Sequence, residues 1–90
     1  MKASPELLSF GAALNQDFWR YGPRPEDWIK GALSMMSRER QLLLKRTIEQ
    51  LLDAGTSGEK LYEMFKSTPA DIHIQGDVRT FFQMIVDAIK

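Results

Sequence analysis

The sequence predicts an all-α fold, a single small domain of about five helices packed as an irregular bundle over residues 1–90. Leu (10) and Ala (7) greatly outnumber Val (2), an inventory that suits helices better than sheets. Apolar residues recur every three or four positions over most of the chain, which is the spacing of one helix face. Proline, glycine and capping residues divide this pattern into five segments.

The first helix is predicted over about residues 5–18. Ser4 can cap it, and Pro5 suits the first helical position, where no N–H is needed. Gly11 costs about 1 kcal/mol against Ala inside a helix, so its presence predicts a close helix crossing at that point. The apolar face consists of residues three or four positions apart: Leu7, Phe10, Leu14 and Phe18.

Two prolines and a glycine within four residues make Arg20 to Pro25 a connector. The second helix is predicted over about residues 25–35. Glu26 and Asp27 fall in its first turn, where carboxylates complement the positive end of the helix dipole. Its apolar stripe contains Trp28 or Ile29, Ala32 or Leu33, and Met36.

The third helix is predicted to start after Ser37 and to end at Gly55, a glycine placed to terminate it. Thr56 and Glu59 have the spacing of a capping box, which predicts a short fourth helix that Pro69 stops. The apolar positions of these two helices are Leu44, Ile48, Leu51 and Leu52, then Leu61, Met64 and Phe65.

An extended loop over residues 69–76 is expected to place Ile72 and Ile74 over the core. Asp77 then caps the last helix, which is predicted to run to the end of the chain. Its apolar stripe is Val78, Phe81, Phe82, Ile85 and Ile89.

Composition excludes several classes of function. Twelve basic residues balance twelve acidic ones, so the chain lacks the excess positive charge typical of a nucleic-acid binder. With no Cys, it has no disulfides, no thiol chemistry and no cysteine zinc site. We expect no cofactor, no metal and no membrane span, and a cytoplasmic location, since the N-terminus lacks the apolar core of a secretion signal.

Catalysis is not expected, because the sequence offers no recognisable catalytic pattern. His73, the one histidine, lies between two isoleucines and is interpreted as a solvent-facing loop residue. One hypothesis for a non-catalytic function is a nucleic-acid-associated regulator that uses a basic cluster on the third helix. That cluster consists of Arg38, Arg40, Lys45 and Arg46, with Glu39 and Glu49 partly offsetting it. Another is a helical domain of unknown role.

The most unusual segment is residues 16–28, which holds four of the nine aromatic side chains. One interpretation is structural, with Phe18 and Trp28 anchoring the turn between the first two helices. The other is functional: Trp19, Arg20 and Tyr21 are adjacent and cannot all point inward, and these residue types are enriched at binding hot spots. Both interpretations can hold for different members of the segment.

The run Leu8 to Phe18, with Gln16-Asp17-Phe18 at its end, is followed by a Tyr, a Pro-Glu pair and a Leu-rich helix. With the Gly76 to Phe82 stretch, this order resembles the small helical immunity proteins of bacterial contact-dependent growth inhibition systems. The resemblance implies an antitoxin-like protein that binds and neutralises a cognate toxin domain without catalysis. We expect it to be a monomer or weak homodimer. Because many such toxins carry basic clefts, the expected partner-binding residues are Asp17, Trp19, Tyr21, Glu26 and Asp27.

Overall fold

The computed structural model describes residues 3–15, 18–72, 74 and 76–89. Every regular element in these ranges is helical, as the sequence predicts, and the five α-helices form a compact bundle. Gln16, Asp17 and His73, which the sequence singles out, lie outside the described residues. The helices are α1 (Pro5–Ala13), α2 (Pro25–Ser34), α3 (Arg38–Asp53), α4 (Gly58–Lys66) and α5 (Val78–Ala88), with a 3₁₀ helix at Phe18–Tyr21 between α1 and α2.

Side-chain caps fix where four of the helices begin. Ser4, Ser37 and Asp77 accept backbone N–H bonds at the starts of α1, α3 and α5, as predicted. The cap of α4 is Ser57, whose Oγ accepts from the N–H of Lys60 at 3.2 Å, so the predicted Thr56 cap is wrong by one residue. Thr56 instead follows the glycine that ends α3 and belongs to that helix terminus.

α1 ends at Ala13, five residues before the predicted boundary. The N–H groups of Leu14 and Asn15 bond to carbonyls three positions back, at 3.0 and 3.2 Å, which tightens the last turn. The Leu14 carbonyl then accepts from the N–H of Asp71, at 3.0 Å, instead of serving a further helical turn. Phe18 therefore reaches the core from the 3₁₀ helix and not from α1.

The end of α3 is a Schellman motif built on Gly55, which has φ +72°. The N–H of Gly55 donates to the Leu52 carbonyl, and that of Thr56 donates to the Leu51 carbonyl. The guanidinium of Arg79 on α5 also donates to the Thr56 and Leu52 carbonyls. The tight turn thus joins α3 to α4 while α5 holds it in place.

α5 is the hub of the bundle, because α2, α3 and α4 all pack against it. Its predicted stripe is buried, and Phe65 of α4 meets Phe81 edge to face at 5.5 Å between ring centroids. α4 packs mainly on α5, although it follows α3 directly in sequence. Ile72 is buried and Ile74 packs partly against the core, which confirms the prediction for that loop.

The close approach predicted at Gly11 is present, but its partner is a turn and not a helix. A Cβ added at Gly11 would lie 2.3 Å from Oγ1 and 2.4 Å from Cβ of Thr68, in the turn after α4. Thr68 is buried, and its hydroxyl donates to the Phe65 carbonyl at 2.6 Å. Glycine at position 11 therefore lets the end of α4 lie directly on α1.

Candidate functional site

The connection between α1 and α2 is held by an aromatic pair. The rings of Phe18 and Trp28 meet edge to face, with centroids 5.0 Å apart. The indole Nε1–H of Trp28 donates to the Gly22 carbonyl at 2.8 Å, which ties the connector to the start of α2. This arrangement confirms the structural interpretation of Phe18 and Trp28.

Tyr21, one of the predicted partner-binding residues, points into the domain. Its hydroxyl donates to the Ala13 carbonyl at 3.1 Å, which gives a partner to a backbone group in the last turn of α1. Its ring lies directly on Gly31 of α2, where an added Cβ would be 2.2 Å from ring atoms. Tyr21 therefore locks the 3₁₀ helix between α1 and α2.

Asp27 also has a structural task, although the sequence pattern placed it in the binding surface. It is half-buried, and its Oδ2 accepts from the backbone N–H of Arg24 at 3.2 Å. It packs so closely on Gly22 that a Cβ there would lie 2.5 Å from Oδ2, and Gly22 has φ +146°. The carboxylate thus fixes both the start of α2 and the turn that precedes it.

Trp19 and Glu26 are the predicted site residues that face solvent within the described chain. Trp19 is 61% exposed, and the guanidinium carbon of Arg20 lies 5.6 Å from its ring centroid, in cation–π range. Glu26 is exposed in the first turn of α2. Asp17 lies outside the described residues. The structure therefore presents Trp19 and Arg20 on a turn that Phe18 and Tyr21, on either side of them, attach to the fold.

A groove of about 490 Å³, which the sequence did not predict, runs between the starts of α2 and α5. Trp28, the aromatic that anchors the connector, forms part of its wall. A depression of about 300 Å³ lies next to it, and Met84 lines both. The first is lined chiefly by Pro23, Trp28, Ile74, Asp77, Phe81 and Met84, and the second by Glu26, Ile29, Lys30, Met84, Asp87 and Ala88.

Sequence reasoning missed this groove because its walls are more than forty residues apart in the chain, at about 28 and 81. The sequence pattern assigns Trp28 and Phe81 to apolar stripes, and a stripe does not reveal where two helices part. One signal pointed there: Met84 is an apolar residue outside the predicted stripe of α5. It is half-buried and packs against the edge of the core.

Two of the four basic side chains in the α3 cluster donate hydrogen bonds to other parts of the domain. Arg40 Nη1 donates to Ser9 Oγ on α1 at 2.9 Å, and Lys45 Nζ donates to the Ile89 carbonyl after α5 at 3.3 Å. Arg38, Arg40 and Arg46 are exposed, and Lys45 is half-buried. The face available to a phosphate backbone is accordingly narrower than the sequence suggests.

Glu6 is the one described acid with a clearly perturbed ionisation. Burial opposes its charged form, but hydrogen bonds from Thr47, its own backbone N–H and Ser4, with Arg40 nearby, hold its pKa below the ordinary 4.5. Thr47 Oγ1 donates to Glu6 Oε1 at 2.7 Å, linking α3 to α1. This carboxylate is an interhelical tie, and its geometry does not resemble a general acid or base.

Among the described residues, no group of three or more His, Asp or Glu side chains is arranged to hold a metal ion. No helix in the same ranges is long and apolar enough to cross a membrane. Comparisons with protein-family models, with curated proteins and with solved structures found no match to this chain.

Proposed function

We propose that this domain is an immunity protein that binds and neutralises the toxin domain of a contact-dependent growth inhibition effector, by protein–protein contact in the cytoplasm and without catalysis. The proposal originates in the sequence resemblance. The observation that carries it further is Trp19, which is 61% exposed beside Arg20. Trp and Arg are among the residue types that most often dominate binding energy in protein interfaces.

The surroundings of Trp19 support a binding role because hydrogen bonds within the domain hold the turn on both sides of it. Tyr21 bonds to α1, and Trp28 bonds to the Gly22 carbonyl on the other side of the 3₁₀ helix. A preorganised turn loses less conformational entropy on association than a flexible one does, so more of the contact energy appears as affinity. In this proposal Tyr21 and Asp27 act by positioning the turn, while Trp19 and Glu26 contact the toxin.

The test is a binding measurement with the purified toxin domain encoded beside this gene. Isothermal titration should give a defined complex, and Trp19→Ala should weaken it by about 30-fold or more, as for a hot-spot truncation of about 2 kcal/mol. Tyr62→Ala is the matched control, since Tyr62 is an exposed aromatic on α4. Absence of any complex would overturn the immunity proposal, and an affinity that Trp19→Ala leaves unchanged would remove Trp19 from the interface.

The nucleic-acid hypothesis is tested by filter binding against a salt series. A regulator that uses Arg38 and Arg46 should bind at low salt and lose affinity steeply as salt rises. Lack of binding even at low salt would eliminate that hypothesis.

A further inference from the structure

We infer that the groove between α2 and α5 binds an amphipathic helical segment of the partner protein, one that carries an apolar stripe flanked by Lys or Arg. The inference deepens the proposed function, and it rests on that proposal for the partner being a protein. It places a second contact region beside the turn that carries Trp19 and gives the chemistry of the element recognised there.

The floor of the groove is apolar and already has its polar groups engaged. Trp28 Nε1 donates to Gly22, and Asp77 caps α5 through the N–H of Arg79. In the described chain, no buried side-chain nitrogen or oxygen lacks a hydrogen-bond partner. Small-molecule sites normally add a few convergent polar groups to an apolar pocket, so this floor is better matched to apolar side chains.

The rim determines the charge of the occupant. Among the described residues, three carboxylates line the two depressions, Glu26, Asp77 and Asp87, against one cation, Lys30. The domain as a whole is neutral, so this excess of acid is local. Like charges placed opposite one another oppose association and unlike charges favour it, so a segment with basic flanks is selected over an acidic one.

The length of the groove fits a short helix. Asp77 and Asp87 are ten positions apart along α5, which corresponds to about 15 Å at 1.5 Å per residue. Apolar residues at i, i+4 and i+7 of a docked helix cover about 10 Å of that span. Met84, shared by the two depressions, then lies beneath the middle of the stripe.

The probe is a synthetic peptide of about 14 residues, about 21 Å long when helical, with Leu at i, i+4 and i+7 and Lys at the flanks. Its counterpart carries Glu in place of every Lys. Both are titrated into the ¹⁵N-labelled full chain while the two tryptophan indole N–H signals are followed. The Lys peptide should shift the Trp28 indole, which lines the groove, and the Met84 amide, and should leave the Trp19 indole in place.

Charge reversal distinguishes charge-specific recognition of the peptide from nonspecific apolar binding. Glu26→Lys with Asp87→Lys should weaken Lys-peptide binding by about tenfold, at about three- to fivefold for each exposed pair. The matched control is Glu49→Lys with Asp53→Lys, the same change of charge at exposed positions of α3. If the charge-reversed variant unfolds, a salt series with the wild-type chain still tests the inference, because its affinity for the Lys peptide should fall as salt rises.

Equal binding of the two peptides, shifts centred on Trp19 or on α3, or no shift up to about 1 mM peptide would each overturn the inference. So would concentration-dependent shifts of the groove residues without peptide, which would indicate a second copy of the chain. A toxin complex that is unaffected by Asp87→Lys alone, at a groove position outside the surface assigned to Trp19 and Glu26, removes the groove and leaves the immunity proposal standing. Selective binding of the Lys peptide without any toxin complex removes the immunity proposal and leaves the groove as a site for a helical segment of another protein.

Discussion

Gly31→Ala should destabilise the domain even though alanine is the better helix former. The substitution lies inside α2, where replacing glycine by alanine is by itself favourable by about 1 kcal/mol. However, the new Cβ would lie 2.2 Å from Cγ and Cδ1 of the Tyr21 ring. Ordinary contact needs about 3.5 Å, so the ring must move by more than about 1 Å.

The magnitude follows from what that movement disrupts. Overpacking in a filled site costs about 1–3 kcal/mol, and the displaced ring also loses the Tyr21 hydrogen bond to Ala13, at about 1 kcal/mol. After subtracting the gain in helix propensity, we expect a net loss of about 1–3 kcal/mol. For a domain of this size, that is a fall in Tm of about 4–8 °C per kcal/mol.

The assay is urea unfolding of four proteins: wild type, Gly31→Ala, Tyr21→Ala and the double variant. Once the ring is removed, Gly31→Ala should become stabilising by up to about 1 kcal/mol, so its sign should reverse between the two backgrounds. Gly58→Ala is the control, since the nearest atom to its Cβ is Val78 Cγ1 at 3.4 Å, an ordinary contact. Destabilisation of equal size in both backgrounds would refute the assignment of Tyr21 as a lock on α2.

Two further variants test ties between helices. Because folding lowers the pKa of Glu6, its carboxylate stabilises the domain fully above about pH 4.5, and this stability is lost as pH falls through the folded-state pKa. Glu6→Gln should therefore make the free energy of unfolding fall less steeply in acid. A pH profile of urea unfolding that the substitution leaves unchanged would contradict this. Arg79→Met should cost about 1–3 kcal/mol, because it leaves the Thr56 carbonyl without its guanidinium donor and leaves the Leu52 carbonyl to the Gly55 N–H alone. A loss below about 0.5 kcal/mol in thermal unfolding would show that water replaces the guanidinium.

Helix starts were predictable because a cap is a local interaction. Ser37 and Asp77 each bond to an N–H two or three residues ahead, and a short stretch of sequence contains all of that information. The fourth cap was misplaced because Thr56 and Ser57 are adjacent hydroxyl residues and only Thr56 has Glu at the capping-box spacing. The structure uses Ser57, since Thr56 is taken up by the end of α3.

What the sequence did not reveal depends on residues far apart in the chain. The apolar spacing from Leu14 to Phe18 continues the helical pattern, yet the Leu14 carbonyl is taken by Asp71 and the helix ends. Likewise, Tyr21 points inward because Gly31 leaves room for its ring. A glycine inside a helix signals such a contact, and the argument made for Gly11 applies equally to Gly31.

The predicted binding residues also divide into structural and exposed ones through contacts that the sequence pattern does not show. Residue type alone grouped Trp19, Tyr21 and Asp27, because aromatic and acidic side chains suit an interface. Three-dimensional context divides them, since Tyr21 and Asp27 find intramolecular partners and Trp19 faces solvent. The resemblance to immunity proteins remains a prediction that the toxin-binding experiment will decide.

The contact of Gly11 with Thr68 and the bond from Asp71 to Leu14 have a consequence for how the chain folds. Each joins positions about 57 residues apart, so α1 can meet the turn after α4 only once a long loop has closed, and loop closure carries an entropic cost that local contacts do not. The contact of α1 with α2 closes a far shorter stretch of chain. Folding should therefore pair α1 with α2 before α1 joins the turn after α4. That turn should then be the later of the two regions to become resistant to proteolysis during refolding.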